Sequence, residues 1–207
     1  HEVDSLISVL EAVDIVVPPE QRALESWVSE AELAKVNALG LLAPLQAASK
    51  KMVLIHAAAA HPDKLYPLSS WAALIKRLYE ELDLIPVFSG DQQDVALYQE
   101  LAALSGLQSV ALNFAGHLSL RESMALYSQM SLAVCVDSGP AHLCAAAQVP
   151  TIAIFGPTYS RRTCWSKNIC RNSARPSQHF IFSNSRSRLS FLFVQLVFEH
   201  TLLKNRL

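Results

Sequence analysis

The segment 134–142, Val-Cys-Val-Asp-Ser-Gly-Pro-Ala-His, has the composition of a buried strand that turns sharply into a helix. Gly139 lets the backbone approach a ligand closely, and Pro140 suits the first helical turn because its missing amide would be unpaired there. The free amides that follow, together with the helix dipole, can bind an anion such as phosphate, and His142 can donate to the same anion. The alternative is an ordinary helix start with a surface histidine.

Two other loops carry candidate ligand-binding residues. The loop at 56–67 contains four consecutive alanines and then Lys64, whose charge can meet a phosphate, although a lone loop lysine is usually only solvated. The loop at 88–94 has a glycine turn followed by Asp91 and Asp94. Helix capping by one of these aspartates is the favoured interpretation of that loop from sequence alone.

Each of these loops follows a short, wholly apolar segment that predicts a buried strand. The predicted strands cover residues 52–55, 84–88, 109–112, 132–136 and 151–155. Helices are predicted from Ser69 or Ser70 to about Leu82, at 92–104 closing on Gly106, from a capping box at Ser119 and Glu122, and at 140–148. Apolar strands separated by helices indicate an α/β fold, a doubly wound parallel sheet of Rossmann type, whose ligands bind at the carboxyl ends of the strands.

Composition bounds the class of protein. The chain has 207 residues, of which 51% are apolar and 17% charged, and only six are glycine, which excludes a disordered or collagen-like chain. The longest apolar run, 189–198, is too short to span a bilayer. The four cysteines lack zinc-site spacing and disulfide density, so we expect reduced thiols and no metal. The start of the chain reads as mid-protein sequence, and we expect a fragment.

Charge is distributed unevenly along the chain. Residues 1–158 carry 8 Lys and Arg against 17 Asp and Glu, whereas residues 159–207 carry 9 against 1 and no glycine. This change separates an atypical basic tail at 159–207 from the rest of the chain. A change of apolar pattern at Lys51 further separates flanking helices and a connector at 1–50 from a Rossmann-like domain at 51–158. We expect that tail to be a shifted reading frame or a degenerated gene end. The alternative is a basic tail that contacts an anionic membrane surface.

The chain resembles the carboxy-terminal half of the lipopolysaccharide heptosyltransferases, glycosyltransferase family nine. The specific part of the resemblance is the run 137–143, Asp-Ser-Gly-Pro-Ala-His-Leu, followed by Ala145 to Ala147, Pro150 and the Phe-Gly-Pro-Thr run at 155–158. Lys64, Pro67 and Trp71 match the family's lysine-aromatic-proline segment. The resemblance covers about residues 1 to 158 and implies the second domain of a GT-B glycosyltransferase.

The resemblance also implies roles for individual residues toward the sugar donor. Lys64 would contact the donor's diphosphate, with Ala59 and Ala60 lining the adjoining loop. Asp94 would hold the ribose, and Leu118 would lie near the base. The donor's phosphates and sugar would be held by a group at the helix start: Asp137, Ser138, Gly139, Pro140 and His142. The alanines replace the glycine or hydroxyl residues common in the family, so phosphate contacts there would come from the backbone.

By resemblance, the reaction is inverting transfer of heptose from ADP-heptose, or a related nucleotide sugar, to the lipopolysaccharide core. No cofactor, metal or nucleic acid is expected, and the general base would lie on the family's first domain. The expected location is cytoplasmic. In the alternative in which the tail is functional, the tail contacts the inner face of the inner membrane. One alternative is a catalytically inactive nucleotide-binding module. A hydrolase using Ser138, Asp137 and His142 is disfavoured because the G-x-S-x-G elbow is absent.

Overall fold

The protein's structure, a computed structural model, describes residues 2–18, 25–155 and 179–183, which include a six-stranded sheet. The helices are α1 (Glu2–Glu11), α2 (Glu30–Ala38), α3 (Ala43–Ala47), α4 (Leu68–Leu82), α5 (Val95–Ser105), α6 (Leu120–Tyr127) and α7 (Gly139–Ala146). The strands are β1 (Lys51–His56), β2 (Leu84–Phe88), β3 (Leu112–Asn113), β4 (Leu132–Val136), β5 (Thr151–Phe155) and β6 (His179–Ser183).

The sheet has the order β3-β2-β1-β4-β5-β6, in which the first five strands are parallel and β6 is antiparallel to β5. The order reverses between β1 and β4, so the loops that follow these two strands diverge and leave a crevice at their carboxyl ends. The predicted α/β parallel sheet is confirmed. β6 lies inside the 159–207 tail, and the predictions for residues 159–178 and 184–207 lie outside the described residues.

Two apolar layers explain why the strands lack polar alternation. One face of β1 presents Met52 and Leu54 to a core that also contains Val36, Leu126 and Cys144 from the helices. The other face presents Val53 and Ile55 to a core with the buried α4 and α5 residues Trp71, Ile75, Leu78, Tyr98 and Leu101. A strand that is covered on both faces must be apolar throughout, as the sequence indicated.

Several predicted boundaries differ from the structure. α4 begins after Pro67, and neither Ser69 nor Ser70 caps it. The third strand is shifted to Leu112–Asn113, because the Val110 and Ala111 amides both donate to the Leu107 carbonyl and close a turn there. The capping box of Ser119 and Glu122 at the start of α6 is present as predicted.

Part of the predicted connector packs directly on the domain. α2 lies against α6, where Arg121 bonds the Glu32 carboxylate and the Lys35 Nζ lies 3.3 Å from the Glu122 Oε1. The Arg121 hydrogen bond, with others from Ser29, lowers the pKa of Glu32 to about 2. α2 therefore covers the same sheet face as α6.

Candidate functional site

A cleft of about 670 Å³ opens at the carboxyl ends of β1, β2 and β4. It is lined by nine of the ten residues that the sequence singled out: Ala59, Ala60, Lys64, Asp94, Leu118, Asp137, Ser138, Gly139 and Pro140. The tenth, His142, is not among the lining residues. Residues from the four loops that follow β1, β2, β3 and β4 therefore meet at one place, as a parallel sheet with this strand order requires.

The cleft contains a lysine, Lys64, whose ammonium group is fixed by an ion pair. It ends a short 3-10 turn at Pro62–Lys64, and its Nζ lies 2.8 Å from the Asp137 Oδ2 and 3.3 Å from the Asp137 carbonyl oxygen. The Asp137 side chain is 5% exposed and that of Lys64 26% exposed. Lys64 is therefore held in place across the gap between the β1 and β4 loops instead of extending freely into solvent.

The start of α7 opens on the same cleft. No side chain caps this helix, since the Ser138 hydroxyl donates instead to the Val136 carbonyl at 3.2 Å, and a proline occupies the first turn. A Cβ added to Gly139 would meet nothing within 4 Å. The approach to the helix start is open, as binding of an anion at a helix N-terminus requires.

His142, on the first turn of α7, is partly buried. Burial lowers the pKa of its imidazole below the ordinary value, the Lys64 charge acts in the same direction, and the Asp137 charge opposes both. The ring is therefore neutral at pH 7. His142 is therefore not fully exposed, as the alternative interpretation assumed, and its contact with a ligand stays a prediction.

The loop after β2 contains the predicted aspartate cap and also contributes to the cleft. Asp91 and Asp94 form a reciprocal capping box: the Asp91 amide donates to the Asp94 Oδ2 at 3.0 Å, and the Gln93 amide donates to the Asp91 Oδ1 at 2.7 Å. A Cβ at Gly90 would lie 2.3 Å from the Asp94 Oδ2, so the glycine is required for this packing. Capping is thus present, and Asp94 also lines the cleft.

A buried hydrogen-bond network beneath the cleft was not anticipated from the sequence. The His56 Nδ1 lies 2.7 Å from the Ser89 carbonyl oxygen, which also accepts from the Tyr98 hydroxyl at 3.0 Å. The Tyr98 hydroxyl accepts from the Ala57 amide at 3.3 Å. The Ser89 hydroxyl lies 3.1 Å from the Tyr127 hydroxyl. The sequence offered only a general indication of such a network, since a tyrosine at a core position of a helix needs a polar partner.

Burial dominates the ionisation of this network. It raises the pKa of both Tyr98 and Tyr127 well above the ordinary value for a tyrosine, so both hydroxyls stay protonated. Burial lowers the pKa of His56, although backbone hydrogen bonds to Ser89 and Ala58 oppose the shift. A neutral ring that faces a carbonyl through Nδ1 must carry its proton on Nδ1, which fixes the tautomer.

The cysteines of the described residues lie in the core as reduced thiols. Cys135 and Cys144 are free and buried, and burial raises the pKa of Cys144. Cys164 and Cys170 lie outside the described residues. Within residues 2–18, 25–155 and 179–183, no three His, Cys, Asp or Glu side chains converge as a metal site would need. None of the helices in these ranges has the length and apolar character needed to cross a membrane.

Among curated proteins, the chain is similar to lipopolysaccharide heptosyltransferase 1 of Campylobacter coli, with 32% identity over 123 residues. That match covers 58% of this chain and 36% of the relative. A heptosyltransferase 2 of Escherichia coli is 32% identical over 98 residues, 47% of this chain and 28% of the relative. The chain thus spans about a third of the length of the curated relatives it matches.

Solved structures agree on the fold. A family 9 glycosyl transferase from Veillonella parvula superposes with a TM-score of 0.63 at 20% identity, over 75% of this chain and 43% of that one. ADP-heptose lipopolysaccharide heptosyltransferase II of E. coli gives a TM-score of 0.57 at 27% identity, over 66% and 40%. The sheet is therefore that of a GT-B glycosyltransferase domain.

The sequence model of glycosyltransferase family 9 (heptosyltransferase) matches residues 1–186. The match extends past Thr158, where the sequence resemblance was expected to fade, and it includes strand β6. Together with the parallel sheet and the cleft at its carboxyl edge, this match shows that the chain belongs to the heptosyltransferase family, glycosyltransferase family 9.

Proposed function

We propose that this chain is the nucleotide-sugar-binding part of an inverting heptosyltransferase that uses ADP-heptose and a lipopolysaccharide core acceptor. The observation that carries the proposal is that Lys64 and the uncapped start of α7 lie next to each other and line the same cleft. A cation and a helix N-terminus that face the same space form a binding site for a diphosphate. The relatives' names supply the sugar and acceptor.

The proposed roles divide the cleft into two parts. Lys64, with the backbone at Ala59 and Ala60, binds the diphosphate, while the start of α7 from Asp137 to Pro140 binds the phosphates and sugar. Asp94 binds the ribose, and Leu118 contacts the base. His142, on the first turn of α7, is proposed to donate a hydrogen bond from its neutral ring to the phosphates or sugar.

In the proposed reaction, an acceptor hydroxyl loses its proton to a carboxylate base and attacks the anomeric carbon as the bond to the diphosphate breaks. Lys64 and the amides of α7 stabilise the negative charge that develops on the leaving ADP. The lining carboxylates are already engaged: Asp137 pairs with Lys64, and Asp91 and Asp94 cap one another. We therefore place the general base outside this domain, on a part that faces the cleft.

A catalytically inactive nucleotide-binding module is the second candidate. It requires the same cleft but no acceptor or base, and the chain's coverage of about a third of its curated relatives favours it for the isolated 207 residues. A cytoplasmic location, with the acceptor at the inner membrane, belongs to the same proposal. A basic tail at 159–207 that contacts anionic lipid, and a shifted reading frame in that tail, remain competing proposals.

The experiment is a comparison of ADP and UDP by calorimetry and thermal shift with the purified chain. We expect ADP to bind and to raise the unfolding temperature, since a ligand that binds the folded state stabilises it. UDP should bind more weakly, because the base pocket is proposed to suit adenine. Absence of ADP binding by a folded chain would contradict the proposal, and equal binding of UDP would contradict the assignment of the donor base.

A further inference from the structure

The backbone pairing between β1 and β2 ends just before the cleft. The last paired residues are Ile55 and Phe88, and the next residues, His56 and Ser89, both line the cleft. Beyond this point the two strands continue into different loops, which lead to Lys64 and to Asp94. Some other interaction must therefore set the distance between the two loops.

Two buried side chains connect the two strands by hydrogen bonds where the backbone pairing stops. His56 donates from Nδ1 to the Ser89 carbonyl oxygen, and Tyr98 donates to the same oxygen while accepting from the Ala57 amide. His56 is 7% exposed and Tyr98 is fully buried, stacked on Phe88 with ring centroids 5.1 Å apart. The His56 bond joins the ends of β1 and β2 directly, whereas Tyr98, from α5, bridges them by bonding both the Ala57 amide and the Ser89 carbonyl.

We propose that His56 and Tyr98 are positioning residues that hold the Lys64 loop and the Asp94 loop at the separation a nucleoside diphosphate requires. The inference rests on the proposed function, in which the diphosphate is bound by the first loop and the ribose by the second. A ligand that spans two loops binds best when their spacing is fixed beforehand, because the cost of ordering them is then already met.

Tyr98 offers the first test, because its hydroxyl bonds both loops and lies outside the cleft lining. Tyr98→Phe keeps the ring and the stacking on Phe88 but leaves the Ala57 amide without its partner. We expect ADP affinity of the full chain to fall roughly five- to tenfold, the range expected for losing one or two hydrogen bonds. The measurement is calorimetry at a temperature where the variant is folded.

Thr151→Val is the matched control for a general loss of stability. The Thr151 hydroxyl is also buried and donates to the Val149 carbonyl at 2.8 Å, but it lies at the start of β5, at the edge of the sheet opposite the cleft. ADP affinity of this variant should stay within about twofold of the parent, well below the effect of a lost ligand-positioning bond. An equal loss in both variants would overturn the proposal, and so would unchanged affinity in Tyr98→Phe.

His56 supplies a second, independent pair of variants, which also serves if Tyr98→Phe does not fold. His56→Asn places an amide nitrogen where Nδ1 lies and can still donate to the Ser89 carbonyl, whereas His56→Leu cannot. We expect ADP affinity near the parent value for the asparagine and a several-fold loss for the leucine. A loss in both would instead show that the imidazole contacts the ligand directly and would overturn the positioning role.

Failure of this inference is separable from failure of the proposed function. If the unmodified chain is folded but does not bind ADP, the proposed function is wrong, and the inference that rests on it is overturned as well. If the unmodified chain binds ADP and the variants bind equally well, the function stands and only the positioning role is overturned.

Discussion

Replacement of Lys64 by alanine tests the centre of the proposed site. In the ligand-free protein the ammonium group lies 2.8 Å from the Asp137 carboxylate, whose side chain is 5% exposed. Removing the cation therefore has two consequences. The diphosphate loses a charge-assisted contact, and the negative charge of Asp137 faces the incoming phosphates without the lysine between them.

The size of the effect follows from the burial of the pair. A hydrogen bond to a charged group contributes about 1.5–3 kcal/mol, which corresponds to a loss of roughly 10- to 150-fold in ADP affinity. The Lys64 side chain is only 26% exposed, so solvent screens this contact less than it screens a surface pair. Repulsion by Asp137 acts in the same direction, and we expect the upper part of the range.

The assay is calorimetric titration of ADP into the parent chain and the variant, with Lys50→Ala as the matched control. The Lys50 Nζ also lies 2.8 Å from an aspartate, Asp83, but this pair is exposed and lies at the amino ends of β1 and β2, away from the cleft. Its loss should change stability little, because solvent screens an exposed pair, and should leave ADP affinity unaltered. Unchanged ADP affinity in Lys64→Ala, or an equal loss in Lys50→Ala, would refute the placement of the diphosphate beside Lys64.

Four further predictions follow from the cleft. Gly139→Ala should leave the unfolding temperature nearly unchanged, because the added Cβ meets nothing within 4 Å. It should weaken ADP binding if the phosphates approach this backbone. Thermal melts measure the unfolding temperature, and calorimetry measures ADP affinity. His142→Ala should weaken donor binding, whereas a histidine with a purely structural role would lower stability and leave titration with ADP unchanged. Because burial lowers the pKa of both His56 and His142, the unfolded chain binds more protons than the folded chain below about pH 6.5. The free energy of unfolding should therefore decrease as the pH falls through that value and be fully retained above it. Denaturant melts at several pH values test the sign, and a rise in the free energy of unfolding on acidification would contradict it. The purified chain should not transfer heptose by itself, since its cleft carboxylates are engaged, and a coupled assay that detects product from the 207 residues alone would disprove the placement of the base elsewhere.

Much of the fold follows from local sequence. The apolar segments at Leu84–Phe88 and Leu132–Val136, and Thr151–Phe155 with a single threonine at its start, predict strands with these bounds, because such runs must be buried on both faces. The end of α5 follows from Gly106, which adopts φ +73 there, and the start of α6 follows from the Ser119 and Glu122 capping box. These features depend on residues within a few positions of each other, and local chemistry is sufficient to set them.

Nine of the ten predicted site residues line one cleft, because they lie in four loops that follow four parallel strands, and these strands neighbour one another in the sheet. The sequence alone could suggest that Lys64 and Asp94 are polar groups in loops of this kind. It could not separate capping from ligand binding at Asp94, since the same carboxylate caps the Asp91 amide and lines the cleft.

What only the tertiary structure decided are the contacts between residues far apart in the chain. Lys64 and Asp137 are 73 positions apart, and no local pattern links them; their ion pair exists because β1 and β4 are neighbours in the sheet. The bonds from His56 and Tyr98 to the Ser89 carbonyl likewise depend on the packing of α5 beside β2, which buries all three groups. The sequence determined which residues form turns, cap helices and carry charge. The strand order determined which of these residues meet, because side chains from distant segments acquire partners only when the sheet brings their loops to one edge.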